Sequence, residues 1–159
     1  MKIITHTDLF NYPGDVRVIT VNTVGAMGAG IAETFRDTYP AEYWRYKKQC
    51  HGGYFHLGVP QLVTTPDNKR WLLFPTKQNW RNPARYEWIH AGLQYVIDNI
   101  GEPDYIQHDE TIVIPPLGCG HGGLNFNNIK VLLAKFDDHI PNRITVIAPP
   151  YGTDIQSKT

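Results

Sequence analysis

Apolar residues occur along the chain in two patterns: short continuous runs, and longer stretches with helical spacing. The run over 16–21 is β-branched and nearly continuous, which is typical of a strand covered on both faces. Alternation of such strands with helices predicts an α/β fold whose mixed sheet is covered on both sides. The predicted strands are 2–5, 16–22, 61–65, 70–76, 111–114 and 143–148, and the predicted helices begin near Ile31 and cover 41–49, 83–100 and 125–138.

Three local patterns predict how these elements are connected. A turn at 11–15 follows the first strand, which predicts that this strand pairs beside the strand over 16–22. Turn residues at 65–69 lie between two apolar runs and predict a hairpin, and thus a two-strand insertion between helices. Asn82 and Pro83 match a helix cap followed by proline at the first helical position, so the third helix is predicted to begin there.

Two glycine-rich segments each lie between a predicted strand and a predicted helix. Gly25, Gly28 and Gly30 follow the second strand, and four more glycines lie within 118–123. Glycine lets a backbone approach a ligand closely, and a helix N-terminus favours negative charge. Because both segments follow strands of one α/β sheet, we expect them to face a single crevice and to bind a ligand with two phosphates.

The same glycines exclude two common nucleotide-binding motifs. In the first segment the spacing is GxxGxG rather than the GxGxxG of dinucleotide-binding folds, and no acidic residue closes a second strand about 20 positions later. No GxxxxGK[ST] sequence occurs, which excludes a P-loop.

Length and charge narrow the class of protein. The 159 residues fit one domain, and 15 Lys and Arg balance 15 Asp and Glu, so no global field attracts a polyanion. The charges are uneven, since 69–85 contains five basic residues and no acid, whereas 98–110 contains five acids and no Lys or Arg. The basic stretch is either an anion site or a solvated surface.

Cysteine and histidine patterns favour neither a disulfide scaffold nor a metal site. Only Cys50 and Cys119 are present and no signal-peptide pattern occurs, which predicts a reducing, cytoplasmic location. No apolar run approaches the ~20 residues that span a bilayer, so no membrane partner is expected. The seven histidines lack metal-ligand spacing.

Four segments carry a resemblance to a known family. These are Asp8-Leu9, VNTVGAMGAGIA over 21–32, FPTKQNWR over 74–81 and PLGCGHGGL over 116–124. They are similar to a macrodomain of the branch that contains the terminal ADP-ribose glycohydrolases and the DarG antitoxins. The resemblance covers nearly the whole chain and implies a macrodomain-like three-layer α/β/α fold with a mixed central sheet over 1–151, followed by a C-terminal tail over 152–159.

The resemblance also implies roles in binding ADP-ribose. Asp8 corresponds to the aspartate that holds the adenine amino group, and Asn22 to the asparagine that engages the distal ribose. The segment 118–123 would cradle the diphosphate, while Tyr151 either stacks on adenine or caps the core. The implied ADP-ribose contacts are Asp8, Leu9, Asn22, Gly25, Met27, Gly28, Gly30, Ile31, Leu117, Gly118, Cys119, Gly120, His121, Gly122, Gly123, Leu124 and Tyr151.

Lys77 and Asn22 are the implied catalytic residues. A lysine of ordinary pKa is a poor nucleophile at neutral pH, but like charges and partial burial depress the pKa, and Arg70, Arg81 and Arg85 are close in sequence to Lys77. The alternatives are a surface lysine bound to phosphate and, for Asn22, a turn asparagine. Cys119 is expected to be a small loop residue rather than a nucleophile, and His121 is a candidate proton donor.

One departure from the branch tilts the expected substrate towards nucleic acid. The protein-directed terminal glycohydrolases place an aspartate where this chain has Gly122, whereas DarG-like members have the GxGxGGL pattern found here. Trp80 then either stacks a nucleobase or packs in the fold, and Trp80, Arg81 and Arg85 are the expected nucleic-acid contacts.

Together these features predict an ADP-ribosyl glycohydrolase that removes ADP-ribose from a modified nucleobase in DNA, with thymine as the expected base. The alternatives are an ADP-ribosyl ester hydrolase on protein carboxylates, an ADP-ribose 1″-phosphate phosphatase, and a non-catalytic ADP-ribose binding module. The expected partners are ADP-ribosylated single-stranded DNA and a cognate DNA ADP-ribosyltransferase toxin. We expect a monomer with no cofactor or metal.

Overall fold

The computed structural model describes residues 1–149, and the expectations for Tyr151 and for the tail over 152–159 lie outside these residues. A six-stranded sheet has the order β1-β6-β5-β2-β4-β3. All neighbouring strands are parallel except β3 and β4, which are antiparallel, so the sheet is mixed as predicted. The elements are β1 Lys2–Ile4, β2 Val16–Asn22, α1 Gly30–Thr38, α2 Pro40–His51, β3 Gln61–Thr64, β4 Arg70–Lys77, α3 Tyr86–Asn99, β5 Ile112–Ile114, a 3₁₀ turn Gly120–Gly122, α4 Phe126–Asp137 and β6 Ile144–Ile147.

The sheet separates two hydrophobic cores, which makes the fold three-layered. In β2, Val16 and Val18 belong to the core that α3 and α4 cover. Ile19 and Val21 belong to the other core, which α1 and α2 cover. Alternate side chains of a strand point to opposite faces, so the nearly continuous apolar run of β2 is the consequence of burial on both sides.

The prediction that the first two strands are neighbours is wrong. β1 lies at the edge of the sheet and pairs only with β6, so β6 and β5 separate it from β2. Two of its three residues are exposed, as suits an edge strand. The turn over 11–15 therefore leads into a strand that forms elsewhere in the sheet.

The prediction of a two-strand insertion is also wrong in part. The strands over 61–64 and 70–77 do form an antiparallel pair. However, β4 also pairs with β2 along its whole length. Because six consecutive residues of β4 are buried, this strand is a central element of the sheet rather than an appendage.

The third helix begins later than predicted. Arg85 is its N-cap, and the helix covers Tyr86–Asn99. Arg85 has an extended backbone with a φ of −131° and a ψ of 142°, so the helix begins after it. The backbone N–H of Ala84 donates to the carbonyl of Gly122 at 3.0 Å, which ties the segment before the helix to the second glycine-rich segment. No helix within residues 1–149 is long and apolar enough to cross a membrane.

Candidate active site

A cleft of about 560 Å³ opens at the carboxyl ends of β2, β4 and β5. Both glycine-rich segments contribute to its wall, as the sequence predicted, because the ends of parallel strands meet at one edge of the sheet. The lining residues are Thr20, Val21, Asn22, Ala26, Gly28, Ala29, Gly30, Ile31, Ala32, Thr76, Lys77, Trp80, Pro115, Pro116, Gly118, Cys119, His121 and Gly122.

Asn22 organises the first loop, which we define as residues 22–30. Its Oδ1 accepts hydrogen bonds from the backbone N–H groups of Val24, Gly25 and Ala26 at 3.1–3.2 Å. Its Nδ2 donates to the carbonyl of Ala26 at 2.9 Å. The second Nδ2 hydrogen has no acceptor within residues 1–149. Asn22 therefore acts as a turn asparagine and can still donate one hydrogen bond to a group in the cleft.

The hydroxyl of Tyr46 on α2 also contacts Asn22. Its hydroxyl lies 2.7 Å from the carbonyl oxygen of Asn22 and 3.0 Å from Oδ1, and it donates its single proton to one of them. Burial raises the pKa of Tyr46, so the hydroxyl keeps that proton. No local sequence pattern identifies this contact, because 24 positions separate the two residues.

Lys77 lies beside Asn22 although 55 positions separate them in sequence. The two residues are register partners at the ends of the parallel strands β2 and β4, where the pairing shifts after Val21. The half-buried Nζ of Lys77 donates to the carbonyl of Trp80 at 3.3 Å, and within residues 1–149 it forms no ion pair with a carboxylate. Partial desolvation lowers the pKa of Lys77 below its ordinary value.

The expectation that Arg70 contributes to this lowered pKa is wrong. Arg70 begins β4 and Lys77 ends it, so about seven residues at ~3.3 Å per residue separate them by roughly 23 Å. The Arg70 guanidinium forms an ion pair with Glu110 at 3.3 Å and donates to the carbonyl of Tyr105 at 2.9 Å. Closeness in sequence is not closeness in space when the intervening residues form a strand.

Gly28 and Gly30 face open space in the cleft wall. A Cβ placed on either residue would meet no protein atom within 4 Å. The first turn of α1 begins at Gly30, and its N-cap Ala29 supplies no side-chain hydrogen bond. The initial N–H groups of this helix therefore remain available to an anion in the cleft.

The second loop, residues 115–125, is shaped by tight packing. Gly118, Gly120 and Gly123 have φ values of +73°, +70° and +78°, which glycine adopts without strain. A Cβ on Gly118 would lie 2.7 Å from Leu124 and 2.8 Å from Ile89. Gly118 therefore allows the loop to pack closely on the core.

Cys119, His121 and Gly122 line the cleft together with three earlier residues of the second loop, Pro115, Pro116 and Gly118. A Cβ on Gly122 would lie 3.1 Å from Ala84 and 3.9 Å from Cε of Lys77. Burial raises the pKa of the Cys119 thiol to about 11, which agrees with a loop residue rather than a nucleophile. His121 is exposed in the 3₁₀ turn.

Several expected ADP-ribose contacts do not line the cleft. Four of them are buried apolar side chains in the core: Leu9, Met27, Leu117 and Leu124. Asp8 accepts hydrogen bonds from the backbone N–H of Phe10 at 2.9 Å and from Nδ2 of Asn11 at 2.7 Å. Gly25, Gly120 and Gly123 shape the loops. For all of these residues, contact with ADP-ribose stays a prediction.

Arg17 supports the segment around Asp8 and was not anticipated from the sequence. It is buried on β2, and its guanidinium donates to the carbonyls of Leu9, Tyr12 and Gly14 at 3.1, 2.7 and 3.2 Å. The sequence feature that could have identified Arg17 is its position as a single charged residue within the apolar run over 16–21. The other unanticipated residues are small neighbours of the motifs that line the cleft, including Ala26, Ala29, Ala32 and Thr76.

The expected nucleic-acid contacts differ in exposure and in the other residues that their side chains contact. Trp80 is 53% exposed at the mouth of the cleft, and the Arg81 guanidinium lies 4.7 Å from the centre of its ring. Arg85 forms an ion pair with Glu87 at 3.4 Å and lies over Trp88. Among residues 1–149, no group of three or more His, Cys, Asp or Glu side chains is placed to hold a metal ion.

Comparisons of the chain with known proteins point to one family. The Macro domain family matches residues 18–131. The DNA ADP-ribosyl glycohydrolase of Mycobacterium tuberculosis is 36% identical over 148 residues, which are 91% of this chain and 41% of that protein. A DNA ADP-ribosyl transferase-DNA ADP-ribosyl glycohydrolase fusion protein of Thermosipho africanus is 26% identical over 147 residues, covering 81% of this chain and 37% of that protein. The chain thus spans about two fifths of the length of these curated relatives.

Solved structures extend the likeness to the whole fold. The macrodomain of Mycobacterium tuberculosis DarG superposes with a TM-score of 0.81 at 34% identity, covering 94% of this chain and 98% of that chain. Thermosipho africanus DarTG in complex with ADP-ribose superposes with a TM-score of 0.80 at 25% identity, covering 94% of this chain and 42% of that chain. These superpositions confirm the three-layer fold expected from the sequence. Because the family match covers more than half of the chain and its fold superposes on a macrodomain over nearly its full length, this chain belongs to the Macro domain family.

Proposed function

We propose that the chain binds ADP-ribose in the cleft and hydrolyses the N-glycosyl bond that joins ADP-ribose to a modified base in DNA. The observation that carries this proposal is Lys77, a half-buried amine with a lowered pKa that lies beside Asn22 in the cleft. The name of the Mycobacterium tuberculosis relative supports the same activity.

The cleft has features that suit ADP-ribose. Its volume of about 560 Å³ lies within the ~300–1,000 Å³ typical of small-molecule sites. The uncapped N-terminus of α1 and the glycines of both loops would receive the diphosphate. The Asp8 carboxylate accepts two hydrogen bonds and retains lone pairs for the adenine amine. The Thermosipho africanus relative binds ADP-ribose, which supports this ligand.

Lys77 would act as the nucleophile in a two-step hydrolysis. In the first step its neutral Nζ attacks C1″ of the distal ribose and forms a lysine glycosylamine, which is the closed-ring form of a Schiff base. The bond from C1″ to the base breaks, the base keeps the electron pair, and the proton lost from Nζ passes to the base. In the second step water adds to C1″ and releases the lysine, so the overall reaction is hydrolysis. The remaining Nδ2 hydrogen of Asn22 would orient a ribose hydroxyl.

The second loop supports a lysine mechanism without an aspartate partner. Gly122 supplies no carboxylate, and because a Cβ there would lie 3.1 Å from Cβ of Ala84, an acidic side chain would require Ala84 to move by a few tenths of an ångström. We infer that the substrate is ADP-ribosylated DNA, in which Trp80 stacks a base and Arg81 lies near a phosphate. Thymine is proposed as the base on the resemblance to DarG.

A toxin partner is proposed on one relative alone. The Thermosipho africanus protein joins a DNA ADP-ribosyl transferase to a DNA ADP-ribosyl glycohydrolase in one chain. We propose that this chain counteracts such a transferase by removing its product, as a monomer.

Lys77→Ala tests the proposed function. It should abolish the release of ADP-ribose from ADP-ribosylated DNA and leave the affinity for free ADP-ribose within severalfold, since a nucleophile acts mainly in the transition state. The matched control is Lys135→Ala, which removes an exposed lysine from α4.

The pH dependence of turnover is a second test. In the unaltered protein kcat/KM should rise with pH as Lys77 loses its proton, and it should level off below the ordinary lysine pKa of 10.5, because burial lowers the pKa of Lys77.

The substrate class is tested in the same assay. ADP-ribosylated oligonucleotides that carry each of the four bases are compared with ester-linked ADP-ribosyl protein and with ADP-ribose 1″-phosphate. Faster release from the protein or the phosphate would support an ester hydrolase or a phosphatase. Tight ADP-ribose binding with no turnover of any substrate would identify a binding module. Full activity of Lys77→Ala would contradict the mechanism.

A further inference from the structure

Two exposed tryptophans of this fold carry a cation stacked on the ring. Trp80 is 53% exposed with the Arg81 guanidinium 4.7 Å from its ring centre. Trp44 on α2 is 56% exposed, and Nζ of Lys47 lies 5.3 Å from its ring centre. The first pair lies at the mouth of the cleft, where Trp80 and Arg81 belong to the proposed DNA contacts. The second pair lies on a helix that does not line the cleft.

The first loop separates these two tryptophan–cation pairs. On one side, the Thr23 N–H lies 3.1 Å from the carbonyls of Lys77 and Gln78, just before Trp80. On the other side α2 packs against the loop, because a Cβ on Gly25 would lie 3.2 Å from Cα of Lys47. The outer face of α2 is therefore one loop away from the segment that carries Lys77 and Trp80.

The outer face of α2 is positively charged. Lys47 and Lys48 follow Trp44 by three and four positions, so the three side chains share one side of the helix. The acid on this helix is Glu42, which is buried and paired with Arg45 at 3.1 Å. Neither Lys47 nor Lys48 forms an ion pair within residues 1–149. An exposed indole beside unpaired ammonium groups is typical of surfaces that bind single-stranded nucleic acid.

We propose that Trp44, Lys47 and Lys48 form a second station for single-stranded DNA, which binds the nucleotides that flank the modified one. A base has an aromatic face that stacks on the Trp44 indole, and the phosphates of the same strand pair with Lys47 and Lys48. An acidic peptide could satisfy the two lysines but would leave the indole exposed, so the combination favours nucleic acid. The flanking role rests on the proposed function, whereas binding of DNA to α2 does not.

Substrate length is the first test of this station. Turnover is measured on an ADP-ribosylated dinucleotide and on 12-nucleotide strands with the modified base at either end or in the centre. The unaltered protein should prefer the longer strand on the side that reaches α2. Trp44→Ala should reduce the ratio of kcat/KM for long over short substrate by at least about fivefold, and Trp44→Phe should restore most of it. Val131→Ala, which truncates an exposed apolar residue on α4, should leave that ratio unchanged.

Binding of unmodified DNA is the second test, and it does not depend on turnover. The affinity for a fluorescent oligo-dT strand should fall with salt, and the double variant Lys47→Gln, Lys48→Gln should reduce the slope by about 1.4, near 0.7 for each phosphate that is no longer neutralised. Suppose that neither the unaltered protein nor any variant turns over ADP-ribosylated DNA, but Trp44→Ala still weakens oligo-dT binding. That result would contradict the proposed function and support this station. Unchanged oligo-dT affinity and salt slope in the variants, or equal competition by polyglutamate, would overturn the station.

Discussion

The two loops that line the cleft are both rich in glycine, yet different forces shape them. The first loop depends on one polar side chain, because Asn22 bonds to three backbone N–H groups and one carbonyl within it. The second loop depends on contact with the core, where a Cβ on Gly118 would collide with Leu124 and Ile89. Although both loops are rich in glycine, the first is organised mainly by one polar side chain, with Gly25 packed against α2, and the second is organised by packing on the core.

This difference separates two reasons for a glycine in a binding motif. Gly118 is required by the fold, since it combines a left-handed backbone with no room for a side chain. Gly28 has neither constraint: its φ is not positive, and a Cβ there would meet no protein atom within 4 Å. A glycine that the protein itself does not require, in the wall of a cleft, is best explained by the close approach of a ligand.

Gly118→Ala should give the largest effect and would sharpen the comparison. Overpacking adds about 1–3 kcal/mol and the left-handed backbone about 1–2 kcal/mol, so the free energy of unfolding should fall by roughly 2–5 kcal/mol. Urea denaturation measures this loss. Gly53→Ala is the matched control, because Gly53 has a φ of +75° but open space at its Cβ position. Equal losses in the two variants would show that the second loop is not limited by packing.

Asn22→Ala should give an intermediate effect on stability. It leaves three backbone N–H groups of the first loop without their acceptor, and because only that of Gly25 forms a buried bond, the cost should be about 1–3 kcal/mol in all. Tyr46→Phe removes one donor to Asn22 and should lower stability by only about 0.5–1.5 kcal/mol. Thermal or urea unfolding compares the two variants. A larger loss for Tyr46→Phe would mean that α2, and not Asn22, organises the first loop.

The sequence predicted the parts of this site that depend on local pattern and on the rules of parallel sheets. The apolar run of β2 and the glycines after β2 and β5 were sufficient to predict one crevice between two loops. The errors arose where a distant contact decided the structure. The segment before α3 is tied to the second loop by the bond from Ala84 to Gly122, and the support of Asn22 by Tyr46 crosses from α2 to β2. Neither contact leaves a periodic signal in the chain.

Gly28→Ala should have the smallest effect on stability and is the most direct test of the comparison. Because its backbone is unstrained and its Cβ position is open, alanine should leave the free energy of unfolding unchanged or raise it by up to about 1 kcal/mol, through lower entropy of the unfolded chain. The added methyl would enter the space of the bound ligand, so calorimetry should show the affinity for ADP-ribose falling about tenfold or more. Gly30→Ala is the matched variant, since its Cβ position is also open but its φ of +59° adds backbone strain, and it should lose both stability and affinity. Unchanged ADP-ribose affinity in a stable Gly28→Ala protein would place the ligand away from the first loop. The proposed contrast, in which Gly28 is required by a ligand and Gly118 by the fold, would then be contradicted.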